Sequence, residues 1–185
     1  MGRAMSTDRV KKLFAICMTG ISGSGKTTIA NAVSNCLKKR GVSVEVLDGD
    51  ETRSIVGDIF GHSKEERLKM SRINQAIGFY LLRNKVSIIL AAVAPYEAIR
   101  SQFRHFFGVN YIEVYVKASL ATCAKRDTKG LYELSSKGEL ENLNGSNDIF
   151  EPPGNSDIII DTERLSVEES CAMVIEYLYD NKYIN

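Results

Sequence analysis

The stretch LFAICMTGISGSGKTT, residues 13–28, decides the fold. Residues 13–19 form a nearly continuous apolar run, which is typical of a strand buried on both faces of a parallel sheet. Residues 20–27 match the spacing G-x-x-x-x-G-K-[ST] in full. A helical pattern over residues 27–40 follows, and Gly41 stands where such a helix would stop. A strand, a glycine-rich turn and a helix in this order predict a phosphate-binding loop, or P-loop.

The residue types of this loop suit the binding of a nucleoside triphosphate. Glycines let the backbone wrap closely around phosphate oxygens, and amide N–H groups at a helix start carry partial positive charge. Lys26 is expected to reach the β- and γ-phosphates, and the Thr27 hydroxyl is expected to bind Mg²⁺. The sequence therefore predicts a site for ATP and Mg²⁺; the alternative is an ordinary glycine-rich turn.

The rest of the chain predicts an α/β domain. Four further segments have the apolar character of strands, namely residues 42–47, 86–93, 111–116 and 157–160. Helical patterns separate them, and Ser63 with Glu66 and Ser166 with Glu169 have the spacing of capping boxes. Alternating strands and helices predict three layers around a five-stranded parallel sheet. Ligands of such sheets bind at the carboxyl ends of the strands.

Size and composition narrow the class of protein. The 185 residues fit a single domain, which we expect over residues 11–185 after a flexible leader at 1–10. The 24 Lys and Arg almost balance the 23 Asp and Glu, so neither nucleic acid nor a membrane surface is an expected partner. Four scattered cysteines without a C-x-x-C pair favour a reducing cytoplasm.

Two carboxylates follow the second predicted strand, at Asp48 and Asp50. They are expected at the same sheet edge as the P-loop, where they could hold Mg²⁺ or accept a proton from an attacking hydroxyl. The third predicted strand ends without an acidic residue, so these two must supply the charge. The alternative is a turn whose aspartates cap the next helix. We expect a catalytic role for Asp50 and leave both roles open for Asp48, with Thr27 as the third metal-site residue.

Two arginines lie close to these acids in the sequence. Arg53 stands three residues after Asp50, and Arg67 lies in the first turns of the helix that opens at Ser63. Guanidinium groups suit the bidentate capture of phosphate or sulfate oxygens. They are predicted to bind a substrate anion, although solvated surface charges would look the same.

Residues 127–155 differ from the rest because they are polar and end in Pro-Pro-Gly at 152–154. A long polar insert in a compact domain is usually functional or disordered. We predict a mobile lid that follows Arg126 and carries Lys129. A cation delivered by a lid can neutralise charge on a transferred phosphoryl group, and closure excludes water. The alternative is an exposed basic loop.

Six blocks of sequence, taken together, are more specific than the P-loop alone. They are GISGSGKTT at 20–28, LDGDETR at 47–53, GHSKEER at 61–67, APY at 94–96, KRDTKGLY at 125–132 and KGELENLNGSNDIFEPP at 137–153. They resemble the adenylyl-sulfate kinase family over almost the whole chain after the leader. The resemblance implies transfer of the γ-phosphoryl group of ATP to the ribose 3′-hydroxyl of adenylyl sulfate, by enzymes that often form homodimers.

The resemblance also implies roles for single residues. It places the ATP phosphates against Gly23, Ser24, Gly25, Lys26, Thr27 and Thr28. Arg126 would lie against the ATP adenine, and Lys26, Asp50 and Arg53 would form the catalytic set. The acceptor would contact Asp50, Arg53, His62, Arg67, Met70, Ala94, Pro95, Tyr96, Lys129, Gly130, Leu131 and Leu143.

Four of these acceptor positions depart from the family pattern. His62 and Leu143 stand where relatives have two phenylalanines that sandwich the adenine of adenylyl sulfate, Met70 replaces an asparagine, and Ala94 replaces a serine. Without two aromatic faces the slot is weaker and differently shaped. A kinase for another hydroxyl compound, such as cytidine diphosphoramidate, is therefore an alternative, and a catalytically silent nucleotide-binding module is a third.

Overall fold

The computed structural model describes residues 11–127, 129–140 and 142–185. The predicted leader at residues 1–10 lies outside the described residues. The strands are β1 (Ala15–Thr19), β2 (Val44–Asp48), β3 (Ser87–Ala91), β4 (Tyr111–Lys117) and β5 (Ile158–Asp161). The helices are α1 (Lys26–Lys39), α2 (Gly49–Val56), α3 (Lys64–Arg83), α4 (Glu97–Phe107), α5 (Leu120–Arg126), α6 (Leu131–Ser136) and α7 (Val167–Asp180). Two short 3₁₀ turns lie at Gly57–Ile59 and Gly108–Asn110.

The five strands form one parallel sheet in the order β2-β3-β1-β4-β5. Strand β1 is central, and Ala15 pairs with Ile88 of β3 on one side and with Tyr111 of β4 on the other. The predicted five-stranded parallel sheet is confirmed. The prediction placed the second strand too early: Val42 is not in β2, because its N–H donates to the Leu37 carbonyl and closes the turn after α1.

The core has one cluster on each face of the sheet, as three layers require. On one face Ile16 and Met18 pack with the apolar sides of α1 and α7. On the other face Ala15 and Cys17 pack with α4 and with residues of α3. Successive side chains of a strand point to opposite faces, so β1 contributes to both clusters and every one of its residues is buried. This explains why residues 13–19 read as a continuous apolar run.

The predicted capping boxes are both present, at the starts of α3 and α7. The Ser63 hydroxyl accepts from the Glu66 N–H, and the Glu66 carboxylate accepts from the Ser63 N–H. Hydrogen bonds from the Ser63 hydroxyl and from the backbone N–H groups of Gly61 and Ser63 lower the pKa of Glu66 to about 2. The carboxylate therefore stays charged at the N-terminus of α3, where the helix dipole favours a negative charge.

The segment predicted as a lid, 127–155, lies folded against the P-loop. Its side chains Tyr132 and Leu143 form a third apolar cluster with Ile21 and Cys123. Asp127 accepts from the backbone N–H groups of Tyr132 and Glu133 and so starts α6. Its packing against the loop is consistent with a lid, and its mobility stays a prediction. Among the described residues, no helix combines the length and apolarity needed to span a bilayer.

Candidate active site

A cleft of about 660 Å³ opens at the carboxyl ends of the strands, with the P-loop on one side and α2, α3 and the lid segment on the other. It gathers most of the residues predicted for the site. Those that line it are Gly23, Gly25, Lys26, Thr27, Thr28, Asp48, Asp50, Arg53, His62, Arg67, Met70, Ala94, Pro95, Arg126, Lys129, Leu131 and Leu143. We call residues 20–28 with Arg126 and Thr162 the P-loop half. The arginine half comprises Arg53, His62, Arg67, Met70 and Leu143.

Three predicted site residues do not line the cleft and support it from behind. Ser24 is fully buried within the P-loop. Tyr96 is buried as well, and its hydroxyl lies 3.2 Å from an oxygen of Asp148. Gly130 precedes α6 in a left-handed conformation, with a φ of 66°, that glycine adopts without strain. The predicted ligand contacts of these three residues stay predictions.

The backbone of the P-loop requires glycine at its turns. Gly23 and Gly25 have φ angles of 75° and 103°. At Gly20 a Cβ atom would lie 2.3 Å from the Val116 carbonyl oxygen. The Ser24 hydroxyl is buried and makes no hydrogen bond to any described residue. A tight loop ahead of a helix, with a polar group that still needs a partner, fits a bound phosphate chain.

The ammonium group of Lys26 is held inside the loop. Its Nζ donates to the carbonyls of Gly20 and Ile21, both at 2.8 Å. Burial lowers the pKa of Lys26 to about 8, and the negative charge of Asp50 opposes part of that effect. Among the described residues, the cation therefore has neutral carbonyls as its only hydrogen-bond partners, a position in which phosphate oxygens would stabilise it.

The carboxylate of Asp48 caps a helix and also faces the P-loop. Its carboxylate accepts from the Asp50 N–H at 2.8 Å, as the N-cap of α2. The other carboxylate oxygen accepts from the Thr27 hydroxyl at 2.6 Å. A hydroxyl and a carboxylate that face one cleft are hard oxygen ligands of the kind Mg²⁺ prefers. The donor set of Thr27 and Asp48, with Asp50 two residues further along the chain, fits this metal.

Asp50 lies where the two halves of the cleft meet. Its carboxylate is largely exposed and forms an ion pair with the ammonium group of Lys129, from the lid segment. The predicted lid cation and the predicted catalytic acid are thus direct partners. This contact places positive charge beside the carboxylate at the mouth of the cleft.

The two arginines of the arginine half organise the loop that precedes α3. The Nη1 of Arg53 donates to the carbonyls of Phe60 and Gly61, at 2.8 and 3.0 Å. Arg67 donates from Nε to the His62 carbonyl at 2.8 Å and from Nη2 to the Asn142 carbonyl at 2.7 Å. Both guanidinium groups line the cleft while they connect separate segments, and Arg67 reaches across to the lid segment.

His62 is expected to be neutral at pH 7. Partial burial lowers its pKa below the ordinary value, and the positive charges of Arg53 and Arg67 lower it further. A neutral imidazole ring lines the cleft without adding a third cation. Leu143, its counterpart in the predicted sandwich, is buried against Ile21 and Tyr132.

Arg126 closes the far end of the P-loop half. Its Nη2 donates to the Thr162 carbonyl at 2.8 Å, and its Nη1 lies 3.4 Å from the Gly23 carbonyl. The Thr162 hydroxyl in turn donates to the Ser24 carbonyl at 3.0 Å. Sequence reasoning missed Thr162. Its position directly after β5, at the carboxyl edge of the sheet, could have indicated it.

Sequence reasoning also missed a wall of the cleft formed by α3 and α4. Ser71 and Asn74 of α3 and Ile99 and Phe103 of α4 line this wall. All four are buried, and on a helix such residues have the same spacing as ordinary core positions. No local pattern could have separated them from the core.

A P-loop, a hydroxyl and two carboxylates beside it, and two arginines across one cleft define a P-loop phosphotransferase, a kinase that transfers a phosphate group to a hydroxyl. The adenylylsulphate kinase family model matches residues 12–161. The chain belongs to this family.

Relatives and solved structures agree with this assignment. The chain is 42% identical over 173 residues to a probable adenylyl-sulfate kinase of Aeropyrum pernix, covering 92% of each chain. It is 40% identical over 177 residues to the adenylyl-sulfate kinase of Halothermothrix orenii, covering 96% of this chain and 95% of the relative. Its fold resembles the APS kinase CysC of Mycobacterium tuberculosis in complex with AMPPNP and APS, with a TM-score of 0.87 and 29% identity over 91% of this chain and 98% of that one.

Proposed function

We propose that this protein transfers the γ-phosphoryl group of ATP to the 3′-hydroxyl of adenylyl sulfate, giving 3′-phosphoadenylyl sulfate and ADP. One observation carries the proposal: a single cleft holds Lys26 and Thr27 of the P-loop opposite Asp50, Arg53 and Arg67. The family match supports the same reaction. ATP at the P-loop half and an acceptor at the arginine half would bring a γ-phosphate and a hydroxyl together beside Asp50.

The chemistry follows from the order of these groups. P-loop amides and Lys26 bind the phosphate chain and offset the charge that builds on the leaving ADP. The 3′-oxygen forms a bond to the γ-phosphorus while the bond from that phosphorus to the β–γ bridging oxygen breaks, and the electron pair leaves on ADP. Asp50 takes the hydroxyl proton. Mg²⁺, held by Thr27 and Asp48 with Asp50 nearby, would supply positive charge to the phosphate oxygens.

The remaining predicted residues would position the two substrates. Arg53 and Arg67 orient the phosphosulfate group of the acceptor, since guanidinium groups bind such oxygens in pairs. Arg126 contacts the ATP adenine. Lys129 with Leu131 covers the reacting groups when the lid segment closes, which keeps water from the γ-phosphate.

The setting of the enzyme is a further part of the proposal. The cysteines Cys17, Cys36, Cys123 and Cys171 are free thiols, which is consistent with the cytoplasm. Aromatic side chains at Phe79, Tyr80 and Phe106 are exposed on α3 and α4. Such a surface would suit the homodimer that the family resemblance implies.

The test is ADP release from ATP and Mg²⁺ with adenylyl sulfate or cytidine diphosphoramidate as acceptor. We expect turnover with adenylyl sulfate, and a fall in kcat/KM of at least about 10²-fold for Lys26→Ala, because one charged stabiliser of the phosphoryl group is lost. Lys39→Ala is the matched control, since Lys39 is exposed at the far end of the same helix.

Other results of this assay would favour another function or exclude kinase chemistry. Turnover with the cytidine compound alone would favour the second candidate, for which the changed residues His62 and Leu143 are the specific observation. ATP binding without transfer to either acceptor would favour a silent nucleotide-binding module. A Lys26→Ala variant as active as the parent would exclude all P-loop kinase chemistry in this cleft.

A further inference from the structure

One polar side chain on the wall of the cleft has no role in the mechanism above. Asn74 of α3 is 4% exposed, and it lines the cleft. Its Oδ1 atom is buried and has no hydrogen-bond partner among the described residues. Native proteins rarely leave a buried amide oxygen without a partner, because the lost hydration is not repaid. A bound ligand would supply the partner.

The surroundings of Asn74 indicate which part of a ligand it would meet. Met70, one turn earlier on the same face of α3, and Ile99 and Phe103 of α4 make this wall apolar. The Ser71 hydroxyl already donates to the Leu68 carbonyl and lies 3.1 Å from the Gln102 side-chain oxygen. Asn74 is therefore a neutral polar group, with unused hydrogen-bonding capacity, in an apolar wall.

The three parts of an acceptor nucleotide differ in what they need from the protein. The anionic group needs cations, which Arg53 and Arg67 supply, and the reacting hydroxyl needs Asp50. The base has apolar faces and a neutral edge with a donor beside an acceptor. An amide offers one acceptor and two donors in the matching arrangement, and a half-turn of the amide exchanges its oxygen and nitrogen at little steric cost.

We propose that Asn74 determines acceptor specificity, its side-chain amide hydrogen-bonding the edge of the acceptor's base at the exocyclic amino group. The proposal rests on the proposed function, because it takes adenylyl sulfate as the acceptor. It assigns recognition of the base to Asn74, a polar residue in an otherwise apolar wall. The weaker slot formed by His62 and Leu143 is thereby supplemented by a directional contact.

The chain contains a matched control beside Asn74. Gln75 is the next residue of α3, it is 8% exposed, and its Nε2 also has no partner among the described residues. Gln75 is not part of the cleft lining. Removing either amide relieves a buried unsatisfied group, but only Asn74 can contact a bound acceptor.

The experiment crosses two variants, Asn74→Leu and Gln75→Met, with two acceptors, adenylyl sulfate and its analogue without the 6-amino group. In the parent enzyme, loss of the amino group is expected to lower kcat/KM about tenfold, because the amide is left unpaired. In Asn74→Leu the two acceptors should react equally, with KM for adenylyl sulfate raised about tenfold and KM for ATP unchanged. Gln75→Met should behave as the parent.

The outcomes separate this proposal from the proposed function. A parent enzyme that does not turn over adenylyl sulfate would contradict the proposed function, and this proposal with it. A parent that does so, with an equal amino-group penalty in Asn74→Leu, would overturn the role of Asn74 alone. If Asn74→Leu fails to fold, as thermal unfolding would show, Asn74→Ser serves in its place, because its hydroxyl is too short to reach the same atom.

Discussion

The two halves of the cleft are built in different ways. Within residues 20–28 of the P-loop half, the contacts of Lys26 are local: its ammonium group reaches carbonyls only five and six residues away, and the backbone shape depends on glycines. In the arginine half, Arg67 connects to Asn142 across 75 residues of sequence. The loop that would bind a phosphate chain therefore comes from one short stretch of sequence. The residues that would bind the acceptor come from several distant segments.

This difference is consistent with the departures from the family pattern that the resemblance implies at acceptor positions. A substitution at Gly20, Gly23 or Gly25 would disturb a backbone conformation that favours glycine and on which the loop depends. A substitution at His62 or Met70 changes the surface of a pocket while the sheet and its core stay as they are. Acceptor recognition can thus vary without loss of the fold, and the two halves should respond separately to mutation.

The largest difference between the effects on the two substrates is expected for Arg67→Met. Loss of charged hydrogen bonds to the acceptor, typically about 1.5–3 kcal/mol, should raise the KM for adenylyl sulfate by roughly 10- to 100-fold. KM for ATP should change less than about twofold, because Arg67 does not belong to the P-loop half. Steady-state kinetics with each substrate varied in turn would measure both. Lys69→Met, an exposed change on the same helix, is the control. Equal effects of Arg67→Met on the KM values of both substrates would contradict the distinction between the two halves.

In the P-loop half, we expect nucleotide affinity to depend on pH through Lys26. Burial lowers the pKa of Lys26 to about 8, whereas bound phosphates would favour the charged form and raise it. Below that pH the group is already charged; above it, binding must take up a proton, so ADP affinity should fall by up to about tenfold per pH unit.

Calorimetry from pH 6.5 to 9.5, in buffers of different ionisation enthalpy, would detect the proton uptake. Lys26→Met should abolish the uptake. Uptake that persists in this variant would assign the titration to another group.

The smallest expected effect concerns His62→Phe. A full aromatic face against the base should strengthen stacking by about 0.5–1.5 kcal/mol and lower the KM for adenylyl sulfate roughly 2- to 10-fold. Removal of the imidazole also removes a group that could become a third cation at low pH. His105→Phe is the matched control, because His105 is exposed on α4. An unchanged KM in His62→Phe would indicate that this ring does not face the base.

Much of the fold could be predicted because its signals are local. The apolar run of β1, the glycine spacing and the capping boxes at Ser63 and Ser166 each lie within a few residues, and the structure confirms them. The site was predicted only where a motif marks it. Asn74 reaches the cleft through helix packing, which no short pattern encodes, whereas Thr162 directly follows β5 and its place at the sheet edge could have indicated it. Asp48 was ambiguous because capping a helix and facing Thr27 use different oxygens of one carboxylate.

The hydroxyl of Tyr132 donates to the Ser22 carbonyl at 2.8 Å, so the segment that covers the cleft is fastened to the loop that would hold the nucleotide. Opening of this segment requires that hydrogen bond to break, and a neutral hydrogen bond is typically worth about 0.5–1.5 kcal/mol. Opening of the lid segment and release of ADP would then share this cost. The phenol group of Tyr132 would thus contribute to the rate of turnover although it does not line the cleft.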